Sequence, residues 1–329
     1  MRKRTKKMVS SMAVFLMAAL LVACGSKTPG TTGQVSTVGT AAAAQSPKRI
    51  GLVMKTLTNP FFIEMEMGAR KAEKECGIQL IVKTGAQETS IEQQISIVGD
   101  MIRDKVDAIV IAPGSSVELI PVLKKAQDAG IPIVNIDNRL DPAMSKKAGL
   151  VDVPFISVDN ANGAYLSAKY VCDKVTAPTK AAILEGIRTA ANGQERRKGA
   201  LRAFDENQKI KVVASETANW KIDEAFEVTK KIFGDHPDVG VLFCANDMMA
   251  LGAVHYLEQA NNRRVLVAGF DALAEAKSAI KQGNLEVTID QQPSTQGYLG
   301  VKYAIDMMHG RKPAPETMID VRLVSKETL

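Results

Sequence analysis

From residue 50 to residue 324, short apolar runs alternate with stretches of helical periodicity, and this alternation restricts the fold more than any other feature of the chain. The runs at 50–54, 78–83, 108–111, 131–136 and 155–158 are rich in Ile and Val, as strands buried on both faces are. After the first of them, Phe61, Met65, Gly68, Ala69, Ala72 and Cys76 recur at helical spacing, opposite Glu64, Glu66, Arg70, Lys71 and Glu73. Asn59 followed by Pro60 predicts the start of that helix, and Gly77 its end. Thr89 with Glu92 predicts a capping box for the next one. Beyond 158 the pattern begins again, with strands expected at 181–184, 211–214, 239–243, 265–268, 286–290 and about 318–324. Strand–helix units in succession imply parallel sheets covered by helices on both faces, here an α/β chain with two such units of domain size.

The first residues bear on the compartment. Arg2, Lys3, Arg4, Lys6 and Lys7 precede an uncharged apolar run from Met8 to Ala23. That run is slightly short for a membrane span and ends in Leu-Val-Ala-Cys24-Gly. The segment resembles the bacterial lipoprotein signal, in which the Cys becomes the lipidated first residue of the mature protein. Residues 1–23 are therefore expected to be a cleaved signal peptide and Cys24 the lipidation site. Residues 24–47, made largely of Gly, Thr, Ser, Ala and Gln, read as a tether that cannot form a core.

Setting residues 1–23 aside removes five of the chain's +6 charges and leaves +1. No basic stripe then remains to favour a nucleic-acid partner. Cys76, Cys172 and Cys244 are widely spaced and read as small buried residues, and His236, His255 and His309 show no ligand spacing, so neither a metal nor a cofactor is expected. The chain contains no GxGxxG, GxxxxGK[ST] or GxSxG motif.

In open parallel sheets, ligands bind at the loops that follow the carboxyl ends of the strands. Those positions hold Asn59, Phe61 and Phe62, then Asp137, Asn138 and Arg139, then Arg188, Gln194 and Arg196. Further on they hold Asn219, Trp220, Asn246, Asp247, Asp271, Asp290 and Gln291. Aromatic faces among carboxylates, amides and guanidinium groups match a polyhydroxylated ring. Each hydroxyl both donates and accepts, and the C–H faces of the ring need flat apolar surfaces. Phe61, Phe62 and Trp220 are the candidates for those surfaces.

Several runs carry a resemblance: Thr56-Leu-Thr-Asn-Pro-Phe-Phe, Ile131-Pro-Ile-Val-Asn-Ile-Asp, Val158-Asp-Asn, Phe243-Cys-Ala-Asn-Asp-Met-Met-Ala-Leu-Gly-Ala, Ala268-Gly-Phe-Asp and Thr288-Ile-Asp-Gln. Together they make residues 48–324 similar to the ribose-binding-protein-like group, the extracytoplasmic sugar-binding subunits of ABC importers. The resemblance implies the type I periplasmic-binding-protein fold, two Rossmann-like lobes with parallel sheets joined by three crossovers. The first lobe would take residues 48–158 and 292–319, the second 159–291 and 320–329. It also implies a monomer that closes on a monosaccharide or polyol and delivers it to ABC permease subunits, without catalysis.

Position by position, the resemblance places ligand contacts at Asn59, Phe61, Phe62, Asp137, Asn246, Asp271 and Gln291, with Trp220 where ribose binders carry Phe. Two departures stand out: Asn138 replaces the Arg expected after Asp137, with Arg139 one step later, and Gln194 replaces the Arg expected before Glu195 and Arg196. The lost guanidinium groups count against ribose itself and leave a different pentose, hexose, polyol or cyclitol open. The same fold could also present a ligand to a chemoreceptor or histidine-kinase ectodomain. A repressor of the lactose-repressor type would need a helix-turn-helix where the leader and tether stand.

Overall fold

The computed structural model describes residues 46–329. The expected signal peptide, the expected lipidation site Cys24 and nearly all of the expected tether lie outside the described residues. Alternation of strand and helix runs from β1 (Arg49–Met54) through α1 (Pro60–Cys76), β2 (Gln79–Thr84), α2 (Ile91–Arg103), β3 (Ala108–Ile111), α3 (Ile120–Asp128), β4 (Ile133–Ile136) and α4 (Pro142–Ala148) to β5 (Phe155–Val158). It continues as α5 (Asn160–Cys172), β6 (Thr179–Glu185), α6 (Ala191–Asp205), β7 (Ile210–Thr217), α7 (Ile222–Asp235), β8 (Val239–Cys244), α8 (Asp247–Gln259), β9 (Leu266–Ala268), α9 (Ala274–Gln282) and β10 (Val287–Asp290). The chain closes with α10 (Pro293–Met308), β11 (Glu316–Ile319) and β12 (Arg322–Ser325).

These strands form two sheets, β2-β1-β3-β4-β5-β11 and β7-β6-β8-β9-β10-β12. All pairs of the first sheet are parallel, and every residue of β3, β4 and β5 is buried. The fold is therefore two α/β lobes. The chain passes from the first sheet to the second after β5, returns after β10, and leaves again after β11. In each sheet the strand order reverses beside the first strand of its lobe, between β1 and β3 and between β6 and β8, where carboxyl-end loops part to leave a crevice.

The helix signals are realised locally. Asn59 Oδ1 accepts from Phe61 N at 3.1 Å, Pro60 opens α1, and Gly77 closes it in the left-handed conformation. Asp159 and Asn246 cap α5 and α8 in the same way. Late in the chain, α10 is drawn onto α1 by small residues: a Cβ on Gly68 would stand 1.8 Å from the Ser294 carbonyl oxygen.

Two expectations are corrected, and one helix is added. The single strand expected at about 318–324 is two strands, split at Asp320 and Val321 where the chain changes lobes. β11 pairs with β5 in parallel, and β12 pairs with β10 antiparallel, so the second sheet is mixed. The capping box at Thr89 does not form. α2 begins at Ile91 without a side-chain cap, and Ser90 Oγ instead accepts from Gln87 N at 3.1 Å. Helix α4 was not foreseen, although Asp141 caps it at Met144 N, 2.7 Å, and Pro142 is its first residue.

Candidate ligand-binding cleft

Loops from both lobes converge on one space of about 230 Å³. The first lobe contributes Lys55, Asn59, Phe61, Phe62, Glu88 and Asp137, and the second Asn192, Arg196, Trp220, Asn246, Asp271 and Gln291. All twelve side chains are buried.

On the first lobe, α1 follows β1 so closely that its opening residues face the cleft. The Phe61 and Phe62 rings meet edge to face, 5.0 Å between centroids and 83° between planes. Lys55, the residue after β1, sits 2.8 Å from Asp137 Oδ2 and 3.9 Å from Glu88 Oε2. Asn59 Nδ2 donates to Glu88 Oε1 at 2.9 Å. Asp137 takes the left-handed conformation, φ 64°, which turns its carboxylate in from the end of β4.

On the second lobe Arg196 is the hub. Its guanidinium donates to Asn160 Oδ1 and Ala245 O, both at 2.9 Å, and to Gln291 Oε1 at 3.3 Å. It lies 3.5 Å from Asp271 Oδ1 and 3.8 Å above the Phe270 ring. Gln291 Nε2 donates to Asp271 Oδ1 at 2.6 Å. The Trp220 ring presses on Gly186, where an added Cβ would come within 2.0 Å of it. Any larger residue at 186 would push the indole out of its seat.

Burial governs the charges. It holds the Asp271 carboxyl well above the usual carboxylate range although Arg196 opposes the shift, and it raises Glu88 against the pull of Lys55. It also lowers the Arg196 guanidinium, with Asp271 opposing. Carboxylates placed this way gain from any neutral hydroxyl that donates to them, because such a donor stabilises the charged form without adding another ion. Two further buried atoms, Trp220 Nε1 and Asn192 Oδ1, make no hydrogen bond within the protein. One is a donor and the other an acceptor. A hydroxyl could satisfy both kinds, and leaving buried polar atoms unpaired costs about 1–3 kcal/mol each.

Nine residues singled out in the sequence line this space: Asn59, Phe61, Phe62, Asp137, Arg196, Trp220, Asn246, Asp271 and Gln291. Arg188, Asn219, Asp247 and Asp290 lie outside it, and so do three residues expected to touch the ligand. Gln194 is exposed and donates to Arg188 O at 2.7 Å. Two residues from Arg196 on α6, it falls on the far side of the helix, whereas Asn192, four residues away, shares the inner face. Arg139 points out of the cleft, pairs with Glu316 at 2.9 Å and lies 4.0 Å over the Phe155 ring. Asn138 is buried behind the wall, donates to Pro113 O at 3.0 Å and accepts from Asn192 N at 3.2 Å. Sequence reasoning missed Lys55, Glu88 and Asn192. Lys55 follows β1 directly, so the carboxyl-end rule covers it, and the i, i+4 spacing to Arg196 marks Asn192.

The periplasmic binding protein domain matches residues 50–312. The D-ribose/D-allose-binding protein of Pseudomonas aeruginosa is 38% identical over 92% of this chain and 92% of its own. The ribose import binding protein of Bacillus subtilis is 34% identical over 80% of this chain and 82% of its own. An ABC transporter solute-binding protein of Actinobacillus succinogenes, solved with bound D-allose, is 41% identical with a TM-score of 0.81, over 85% of this chain and 98% of that one. With its two α/β lobes meeting at a polar and aromatic cleft, the chain belongs to the periplasmic binding protein family.

Proposed function

We propose that this chain is the extracytoplasmic sugar-binding subunit of an ABC importer, taking an aldopentose or aldohexose of the ribose and allose kind. The observation that carries the reading is the wall itself: flat rings from opposite lobes, with carboxylates, amides and cations between them and two buried polar atoms left unpaired. Phe61, Phe62 and Trp220 would cover the C–H faces. Asp137, Asp271, Asn59, Asn192, Asn246, Gln291, Lys55 and Arg196 would take the hydroxyls. Relatives named for D-ribose and D-allose support this substrate class.

Lobes hinged at three crossovers would close on the sugar, the ligand stabilising the closed form by bridging them. The first lobe would be residues 48–158 with 292–319, the second 159–291 with 320–329. Acylated Cys24 would hold the protein at the membrane beside its permease, and more than one acyl chain would be needed for stable anchoring. The family binds and delivers, so no turnover of the sugar is expected.

Titration calorimetry and thermal unfolding with D-ribose, D-allose, D-glucose and myo-inositol test the reading. A true ligand at 100 times its dissociation constant should add about 2.7 kcal/mol of stability. Indifference to the whole panel would remove the sugar assignment. Replacing Cys24 by Ala should release the protein from the membrane fraction.

A further inference from the structure

Helix α6 starts on Ala190, which has no side chain able to cap it. Helices α1, α5 and α8 are capped by their own Asn59, Asp159 and Asn246. The opening amides of α6 are instead bonded across the lobe boundary. Ala191 N donates to Ser116 Oγ at 2.9 Å, and Asn192 N donates to Asn138 Oδ1 at 3.2 Å. Beside them Ser116 N donates to Thr189 O at 3.2 Å. Ser116 and Asn138 follow β3 and β4 of the first lobe, while α6 follows β6 of the second. Both side chains are buried, and neither lines the 230 Å³ space. Asn138 is held in place by its bond to Pro113 O, and Ser116 Oγ lies 3.4 Å from Asn138 Oδ1.

We infer that Ser116 and Asn138 cap α6 in trans and form a closure latch, which sets how long the lobes stay shut whatever the sugar. When the lobes part, the Ala191 and Asn192 amides pass from a side-chain acceptor to water, the same exchange that occurs when an N-cap is removed. Truncating such a cap shifts the equilibrium about five- to tenfold. Because neither Ser116 nor Asn138 lines the ligand space, the latch changes affinity by one factor common to every ligand, expressed as faster release. A side chain in the wall would instead discriminate between sugars.

The inference rests on the sugar-binding reading only for the choice of ligand. The test compares the wild type with Ser116→Ala, Ser116→Thr, which keeps the hydroxyl, and Ser115→Ala, whose Oγ accepts only from Val117 N and Glu118 N of its own lobe. Dissociation constants and release rates are measured for D-ribose and D-allose, and amide exchange at Ala191 and Asn192 is followed by NMR with and without sugar. Ser116→Ala should bind both sugars about five- to tenfold more weakly, by the same factor, through faster release. Ser116→Thr and Ser115→Ala should stay near the wild type. Sugar-induced protection of the Ala191 amide should be lost in Ser116→Ala while that of Asn192 largely remains. An unchanged affinity, a factor that differs between the sugars, or equal Ala191 exchange in the wild type and Ser116→Ala would overturn the latch. If the wild type binds neither sugar, the functional reading falls by itself. Ala191 exchange in the ligand-free proteins then decides the latch: faster in Ser116→Ala supports it, equal rates end it.

Discussion

The first lobe brings Lys55, Glu88 and Asp137 to the cleft on loops with one left-handed residue among them, Asp137. The second brings Trp220, Asp271 and Gln291 in company with four, Asn219, Trp220, Asp271 at φ 130° and Ala272, and Gln292 at the crossover that follows is a fifth. Ordered side chains in such conformations cost of order 1–3 kcal/mol each and persist only where their surroundings fix them. In the second lobe the fixing is visible. Asp247, itself outside the cleft, accepts from Leu273 N at 2.9 Å and from Thr288 Oγ1 at 2.7 Å, and Thr288 Oγ1 accepts from Ala272 N at 3.1 Å. Asp271 is thus aimed by a clamp on its backbone. Asp137 is aimed by its own turn and by Lys55 at 2.8 Å. The first half of the site rests on opposite charges, which tolerate small shifts, and the second adds to its Arg196–Asp271 pair a strained backbone, which does not.

The largest effect should come from removing the cation of the strained half. Arg196→Ala would leave Asp271 buried without its counter-charge and strip donors from Asn160, Ala245 and Gln291. A loss of about 3–5 kcal/mol in urea unfolding is expected, with sugar binding abolished. Lys55→Met in the first lobe should be milder, about 1.5–3 kcal/mol, since Glu88 keeps its bond from Asn59. The opposite ranking would break the contrast between the lobes.

The next effect is a pH slope belonging to the clamp. Burial pushes the Asp247 carboxyl up to about 6, above its ordinary value. Between about pH 4 and 6 the unfolded chain has therefore released this proton while the folded chain keeps it. Stability falls as pH rises through that window, and the full penalty stands above pH 6. The contribution is of order 2–3 kcal/mol. Glu185 and Asp107, held below their usual range by hydrogen bonds and salt bridges, slope the other way in acid, so the readout is a difference. Urea melts of the wild type and Asp247→Asn at pH 4.5 and 7 should show the wild type losing more stability on going to pH 7. Equal slopes would mean that the clamp carboxylate titrates in the ordinary range.

The same contrast explains what could be read from the chain beforehand. Buried parallel strands announce themselves as apolar runs, so the residues that follow them, from Asn59 to Gln291, could be picked out by position alone. Gln194 and Arg139 stand close to strand ends along the chain, but which way they face is a matter of helix phase and of the turn after Asp137. Asn192 and Arg196 show that the phase was present in the spacing. The clamp left no mark of its own: Asp247 looks like another loop carboxylate until Leu273 and Thr288 are seen folded around it. The trans cap was equally hidden, because Ser116 and Ala191 are brought together only by the meeting of two lobes.

The smallest effect is expected at Arg139, and it sharpens the boundary of the charged half. Arg139 follows Asp137 by two residues, yet its guanidinium leaves the cleft to pair with Glu316 on β11 and to lie over Phe155 on β5. The pair is partly solvated, with side-chain exposures of 27% and 48%, so water screens it. Such pairs contribute about 0–1 kcal/mol, to which the stacking adds about 0.5–1 kcal/mol. Arg139→Ala should therefore unfold within about 1–2 kcal/mol of the wild type. Trp220, the chain's single Trp, stands in the wall, and its fluorescence should report sugar binding with an unchanged dissociation constant. A tenfold weaker constant would place the Arg139 cation within reach of the ligand, and the charged half of the site would then extend past Asp137 to the lip of the cleft.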